Sequence, residues 1–166
     1  MNSNSHKWKW DGYEVAWEIE ESKTNSPIAT VLIHGFGACK EHWRHNQKIL
    51  GRLCTCYSVD LIGFGESSQP KSQLANDIDE DNFIYCFDNW GKQISDFCKD
   101  IVKKPVILIG NSIGGIIALK ASELLEENCS GVVLIDCAQR RMDDKRLSDK
   151  VILSSLTRPL LKKFIS

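Results

Sequence analysis

The sequence predicts an α/β fold, in which a mostly parallel sheet carries helices on both of its faces. Two observations lead to this prediction. After an N-terminal hairpin, apolar runs of strand length alternate with segments of helical periodicity, the order that builds a parallel sheet with crossover helices. The apolar runs are also continuous, as in strands that are buried on both faces. With 166 residues, the chain can bury the core of one domain.

The elements follow one another along the chain. An Asp11-Gly12 pair within an alternating segment indicates a β-hairpin over residues 9–19. The polar segments are expected to be loops, and the acidic cluster at 77–81 is expected to be solvated. The remaining patterns predict a strand at 30–34, a helix at 41–50, a strand at 54–61, a helix at 83–104, a strand at 106–109, a helix at 114–127 and a strand at 131–137.

Residues 138–166 differ in composition from the segment 1–137, which we interpret as the α/β core. They are strongly basic, and their apolar residues have the spacing of amphipathic helices. We interpret 138–166 as the start of a helical lid over the core. The alternative is a basic surface that binds lipid or nucleic acid.

Composition narrows the classes of function. The formal net charge of −1 gives no global field that would favour nucleic acid. No apolar run approaches the roughly 20 residues that span a bilayer, and the polar N-terminus resembles no secretory signal. The seven cysteines form no Cys-x-x-Cys pair, so we expect free thiols, a cytoplasmic location, no metal and no cofactor.

A serine between two glycines is the first candidate site. Residues 110–115, Gly-Asn-Ser-Ile-Gly-Gly, follow a predicted strand and open a predicted helix, which is the context of a nucleophile elbow. The nucleophile of such a turn has a strained backbone with positive φ, and side chains two residues to either side would collide. We therefore predict that Ser112 is a nucleophile and that Gly110 and Gly114 are small for steric reasons. A plain Gly/Ser turn is the alternative.

Two glycine-containing loops follow other strands. The loop His34-Gly35-Phe36-Gly37 can fold over the serine and present a backbone N–H, and acyl transfer needs two such donors for the oxyanion. The natural pair is the N–H of Phe36 and that of Ile113. His34 precedes the nucleophile, and we interpret it as structural. Asp60 is predicted to anchor its loop by hydrogen bonds, with a direct catalytic role as the alternative.

Together these motifs resemble the α/β-hydrolase superfamily over residues 8–137. They are HGFG, a downstream Trp43, DLIGFGES and GNSIGG, in that order. The motifs are similar to those of pheophytinase-like carboxylester hydrolases and also to those of meta-cleavage-product hydrolases, which cut C–C bonds. Dehalogenases and epoxide hydrolases need Asp at the elbow, and Ser112 at that position disfavours them.

The resemblance implies a Ser–acid–His triad and an acyl-Ser112 intermediate formed from a small, ester-like substrate. Ser112 matches the nucleophile, and Phe36 and Ile113 match the oxyanion donors. Some members place the acid after the strand that here ends at Asp136, so Asp136 is a candidate acid, with loop anchoring as the alternative.

The catalytic histidine has no match, since all four histidines precede residue 46. The family supplies it from a loop after the last strand, and we expect that this sequence stops two strands short. A serine without a base is a weak nucleophile, so we expect the truncated chain to be nearly inactive unless a second polypeptide supplies the missing half. A non-catalytic remnant that binds a partner is the alternative.

A dinucleotide-binding domain is the other alternative fold. Gly35-Phe36-Gly37 and Asp60 imitate its fingerprint, but Lys40 occupies the position of the third glycine. The hairpin and the serine turn also have no place in it. A phosphate-binding P-loop is excluded because the sequence has no Gly-Lys-Ser/Thr.

Overall fold

The computed structural model of the chain describes residues 5–72 and 83–137. In this part of the chain six strands form one sheet in the order β1-β2-β4-β3-β5-β6. The pairs β4–β3, β3–β5 and β5–β6 are parallel, whereas β1–β2 and β2–β4 are antiparallel, which confirms the mostly parallel sheet. The strands are β1 (His6–Trp10), β2 (Tyr13–Glu20), β3 (Ala29–Ile33), β4 (Cys56–Val59), β5 (Val106–Asn111) and β6 (Cys129–Ile135).

Helices cover both faces of the sheet, as predicted. They are α1 (Arg44–Leu50), α2 (Phe87–Phe97) and α3 (Ile113–Leu125). Successive residues of a strand point to opposite faces, and β3 shows the consequence. Val31 and Ile33 belong to the large core cluster that includes residues of α2 and α3, while Leu32 belongs to a smaller cluster with Trp43, beside α1.

The predicted hairpin is present and slightly longer than the pattern indicated, since β1 begins at His6. Asp11 and Gly12 connect its strands with φ values of 51° and 82°. Two consecutive positive φ angles characterise the type I′ turn, whose twist matches that of the strands it joins. The hairpin packs on α2, with the rings of Trp8 and Trp17 at 5.7 and 5.6 Å from that of Phe97.

Several predicted boundaries are wrong. The predicted helix 41–50 begins one residue earlier, as a 3₁₀ turn over Lys40–Trp43. The predicted helix 83–104 begins only at Phe87, because Phe83 pairs with Ser72 in an isolated β-bridge. Its last turn is π-helical over Cys98–Val102. The ends of these helices depend on tertiary contacts, and the apolar periodicity of the sequence gives no information about such contacts.

The predicted strand 54–61 is shorter than expected because side chains satisfy its last backbone groups. Beyond Val59, the N–H of Leu61 donates to His34 Nε2 and that of Ile62 donates to Gln93 Oε1, both at 3.1 Å. These groups are therefore unavailable to a neighbouring strand, and the chain leaves the sheet. The last strand is also shifted, since β6 begins two residues before position 131 and ends at Ile135.

Two predictions lie outside the described residues, namely the solvated acidic cluster at 77–81 and the lid at 138–166. Within the described residues, none of the helices combines the length and the apolar character needed to cross a bilayer. The carboxyl ends of β3, β4, β5 and β6 meet at one edge of the sheet, because these strands run in parallel. That edge holds the predicted site residues.

Candidate active site

Ser112 joins β5 to α3 in the strained conformation that the sequence predicts, with φ 54° and ψ −119°. A Cβ on Gly110 would collide with the carbonyl group of Gly114. A Cβ on Gly114 would collide with the carbonyl oxygens of Ile33 and His34. The steric reason for both glycines is thus confirmed. The turn is also tied to the neighbouring strand, because the Ser112 N–H donates to the carbonyl of Ile135 at 3.0 Å.

The loop after β3 lies against this turn. A Cβ on Gly35 would stand 3.1 Å from Asn111 Oδ1 and 3.2 Å from Ser112 Cβ, which is tighter than an ordinary van der Waals contact, so the backbone of this loop lies close to the turn. Phe36 follows at the tip of the loop. Ile113 is the first residue of α3, where backbone N–H groups have no partner within the helix. This placement agrees with the predicted oxyanion donors, whose role stays a prediction.

His34 is structural, as the sequence predicts. Its side chain is fully buried, and Nε2 accepts the Leu61 N–H at 3.1 Å. Since an acceptor nitrogen carries no proton, the proton of the neutral ring is on Nδ1, which donates to the carbonyl of Gly35 at 2.8 Å. Burial lowers the pKa of His34, which keeps the ring neutral. The imidazole therefore joins the loop after β3 to the end of β4 and is not available as a base.

Asp60 anchors the loops, as predicted. Its Oδ1 accepts the N–H of Lys40 at 2.6 Å, and its Oδ2 accepts the N–H of Glu66 at 2.9 Å. Its carbonyl oxygen accepts a hydrogen bond from Ser67 Oγ at 2.8 Å. One buried aspartate thereby connects the loop after β3 to the loop after β4.

Lys40 has a role that sequence reasoning missed. Its side chain has no exposed surface, and Nζ lies 2.9 Å from Glu66, 3.1 Å from Glu41 and 3.4 Å from Asp60. Burial by itself would lower the pKa of Lys40, but the three carboxylates outweigh it and raise the pKa above its usual value. Glu66 is 26 residues away in the sequence, so no local pattern marks the group.

One cluster of potential metal ligands lies beside this lysine in the described part of the chain. Cys39, Glu41 and Asp60 bring ligand atoms within 4.8 Å of one another. The Lys40 ammonium contacts both carboxylates and already supplies the positive charge. Burial raises the pKa of the Cys39 thiol to about 11, so the thiolate that a metal needs is disfavoured. The chemistry of this donor set fits an ion-pair network better than a metal site.

None of the four histidines of the chain hydrogen-bonds to Ser112, and all four lie within the described residues. His34 is engaged as described above, and His6 stacks on Trp17 at 4.5 Å. His42 and His45 are exposed. Asp136 follows β6 at the same sheet edge as Ser112, with φ 44°, and it is exposed. Its role as the triad acid stays a prediction.

Comparison with known proteins decides the family. The family model described as alpha/beta hydrolase fold matches residues 29–162, which is most of the chain. The chain belongs to the α/β-hydrolase fold family. Family membership confirms the fold that the sequence motifs predict and excludes the dinucleotide-binding alternative.

Relatives of this α/β-hydrolase chain include two curated proteins that are named for lipid substrates. A (lyso)-N-acylphosphatidylethanolamine lipase of Mus musculus is 30% identical over 116 residues, which are 70% of this chain and 31% of the relative. The 1-acylglycerol-3-phosphate O-acyltransferase ABHD5 of Sus scrofa is 32% identical over 124 residues, which are 72% of this chain and 33% of the relative. The chain thus spans about a third of the length of these relatives.

Solved structures agree with the family. The crystal structure of a membrane phospholipase A, a bacterial virulence factor, matches with a TM-score of 0.68 and 31% identity over 81% of this chain and 39% of that one. The thioesterase domain from the curacin biosynthetic pathway matches with a TM-score of 0.71 over 93% of this chain and 53% of that one. Its 16% identity shows a shared fold alone.

Proposed function

We propose that this chain carries the nucleophile portion of a serine hydrolase that cleaves an ester-type bond through an acyl-Ser112 intermediate. The observation that carries the proposal is the turn at Ser112 with the loop of Gly35 closed against it. Ser112 Oγ attacks the carbonyl carbon and loses its proton to a base, and the alcohol then leaves with a proton. The N–H groups of Phe36 and Ile113 stabilise the oxyanion, and water releases the acid.

The base in this proposal is a histidine from outside the described residues, in a further stretch of polypeptide or in a second chain. The outer edge of β6 supports this assignment. Val133, Leu134 and Ile135 are 40–45% exposed, which is unusual for three consecutive apolar residues of a strand. Polypeptide that covers them would also reach Asp136 and Ser112. In the proposal Asp136 orients the incoming histidine.

The substrate we propose is an acyl ester of lipid character. Phe36 is 77% exposed at the tip of the loop, and its ring lies 5.6 Å from that of Phe64. An aromatic pair of which one ring is exposed, beside the proposed nucleophile, suits the acyl chain of a substrate better than a polar group. The lipid substrates in the names of the relatives support an ester over a C–C bond.

A second candidate is a non-catalytic remnant of the fold that binds a partner. The observation in its favour is the absence of any histidine hydrogen-bonded to Ser112, although all four histidines are described. Under this candidate the apolar edge of β6 is a binding surface and Ser112 is a relic.

Chemical rescue with imidazole separates the two candidates. The purified chain is incubated with p-nitrophenyl butyrate, with and without added imidazole, and its intact mass is followed. The proposed function predicts an imidazole-dependent acyl adduct, because free imidazole replaces the missing base while the protein supplies the nucleophile and the oxyanion donors. Removal of the imidazole should then preserve the adduct, because deacylation needs the same base.

Two variants make the experiment specific. Ser112→Ala should abolish the adduct, and Ser130→Ala, at an exposed serine in β6, should leave it unchanged. A chain that gains no adduct with imidazole, or an adduct that persists in Ser112→Ala, would favour the binding remnant.

A further inference from the structure

The loop that carries Phe36 is tied at both ends to one two-residue segment. At its start, His34 accepts the N–H of Leu61 at 3.1 Å. At its end, the N–H of Lys40 donates to Asp60 Oδ1 at 2.6 Å. Phe36 lies between these two attachments. Residues 60–61, together with β3, therefore position the backbone N–H of Phe36.

The Lys40 ammonium holds the second attachment together. A buried ammonium is stable only when several acceptors compensate for its lost hydration, and here Glu66, Asp60 and Glu41 do so. The ammonium in turn keeps three carboxylates within one small volume. Without it, Asp60 would be a buried carboxylate with two acidic neighbours and no counter-charge.

The network also reaches the N-terminal strand. Ser5 Oγ donates to the Glu66 carboxylate at 2.6 Å, and Lys7 Nζ donates to the carbonyl oxygen of Glu66 at 2.5 Å. Glu66 therefore has partners on both sides, Lys40 on one and the start of β1 on the other. Through Glu66, the hairpin therefore supports the Lys40 end of the loop that carries Phe36.

We propose that Lys40 is a positioning residue, which sets the Phe36 N–H for the oxyanion by holding Asp60 in the orientation that accepts the Lys40 N–H. The inference rests on the proposed function for its catalytic meaning. When the ammonium is removed, the carboxylates repel one another, Asp60 releases the Lys40 N–H, and the loop between residues 35 and 39 moves. A displacement of about 1 Å at a reacting group can cost roughly 100-fold in rate.

The test compares Lys40→Met with Lys48→Met, since Lys48 is an exposed lysine of α1. Acylation of Ser112 in the presence of imidazole is measured with a carbonyl ester and with the matching thionoester. Oxyanion donors stabilise a developing O⁻ better than a developing S⁻, so the ratio of the two rates reports on their alignment. Lys40→Met should lower the ester rate about tenfold or more and the thionoester rate much less. Lys48→Met should leave both unchanged.

A purely structural lysine gives another result. If both rates fall by the same factor in Lys40→Met, the loss is general and the proposal is overturned. Should Lys40→Met fail to fold, as judged by circular dichroism, Glu66→Gln replaces it. This variant removes the negative charge from the shortest contact of the ammonium, through a half-exposed side chain, and should lower the ratio in the same direction but less.

A second measurement separates this inference from the proposed function. The amide resonances of Phe36 and Ile113 are recorded by ¹⁵N NMR in the wild type and in Lys40→Met. The inference predicts that the Phe36 resonance shifts while that of Ile113 stays in place. If the wild type forms no adduct at Ser112, the proposed function fails. The shift of Phe36 then supports the positioning of the loop, and an unshifted Phe36 overturns it.

Discussion

At the scale of single residues, the site depends on backbone groups that approach closely. Ser112 occupies a sparsely populated backbone conformation, which costs of the order of 1–3 kcal/mol. The surrounding structure compensates for this cost, because the Ser112 N–H donates to Ile135 and the Gly115 N–H donates to the Ser112 carbonyl. The glycines on either side remove the side chains that would prevent these contacts. Substitutions there should therefore act through sterics rather than through lost interactions.

Gly114→Ala tests this explanation. The added methyl group would overlap two carbonyl oxygens of the backbone, which cannot turn aside, so we expect a loss of about 2–3 kcal/mol in the free energy of unfolding. Urea denaturation provides the measurement. Gly131→Ala is the matched control, because a Cβ there meets nothing within 4 Å. Equal effects of the two substitutions would contradict the steric explanation.

His34 makes the stability depend on pH. Its pKa in the folded state is lowered from 6.5, so below pH 6.5 the unfolded chain binds a proton that the folded chain does not. Stability should accordingly fall as the pH drops from 6.5, by up to about 1.4 kcal/mol per pH unit for this group. Urea unfolding at pH 7 and pH 5 should show a steeper loss in the wild type than in His34→Gln. His45→Gln, at an exposed histidine, should keep the slope of the wild type.

The structural importance of some of these residues could be predicted from the sequence, and that of others could not. The strained turn at Ser112 and the structural roles of His34 and Asp60 were predictable because each residue stands within a short motif next to a strand end. Lys40 was not, because its partners Asp60 and Glu66 are 20 and 26 residues away and only the fold brings them together. The sequence alone does not distinguish a buried lysine from an exposed one.

At the scale of elements, α2 joins the antiparallel hairpin to the parallel part of the sheet. Phe97 at its end is fully buried, and its ring lies 5.9 Å from that of Tyr57 in β4 as well as near two tryptophans of the hairpin. One side chain thus contributes to both attachments. The polar side of α2 adds a hydrogen bond of 2.8 Å from Trp10 Nε1 to Asp96.

Phe97→Ala should consequently be among the most damaging substitutions. Truncation of a buried phenylalanine costs about 3–5 kcal/mol, because the transfer energy is lost and a cavity remains. Denaturant unfolding, followed by tryptophan fluorescence, would measure the loss. Ile84→Ala removes a half-exposed side chain and should change the stability by less than about 0.5 kcal/mol. A loss below about 1 kcal/mol in Phe97→Ala would contradict the assigned role.

The order and type of the elements were predictable from sequence, and their ends were not. The alternation in β1 and β2 and the apolar runs of β3 and β5 are local patterns that depend on burial alone. The end of β4 depends on Gln93 and His34, which come from other elements and accept the N–H groups after Val59. The π-helical turn after α2 was likewise not predictable, because it leaves the spacing of apolar residues in the sequence unchanged.

At the scale of the whole molecule, the two edges of the sheet differ. One edge is the short strand β1, whose side chains include Lys7 and Lys9, and charged residues on an edge strand oppose pairing with another sheet. The other edge is β6, where no described strand pairs on the outer side and where apolar side chains are exposed. We therefore expect this edge to dominate the association behaviour of the chain.

A change at this edge tests the expectation. Because Val133 and Ile135 lie on one face of β6 and are each at least 40% exposed, the chain should self-associate as its concentration rises. The double substitution Val133→Lys and Ile135→Lys should suppress the association, as measured by light scattering after size exclusion. Leu53→Lys alters a more exposed apolar residue away from the sheet edge and should have little effect. Equal suppression by Leu53→Lys would show that the chain does not associate specifically through the β6 edge.

The position of β5 has a consequence for the order of events in biosynthesis. This strand has β3 on one side and β6 on the other, so the turn that follows it is completely framed by residues up to Cys137. A ribosome that has released this much chain has already delivered every described strand that frames Ser112. The frame of this turn can therefore form before any residue after Cys137 is made.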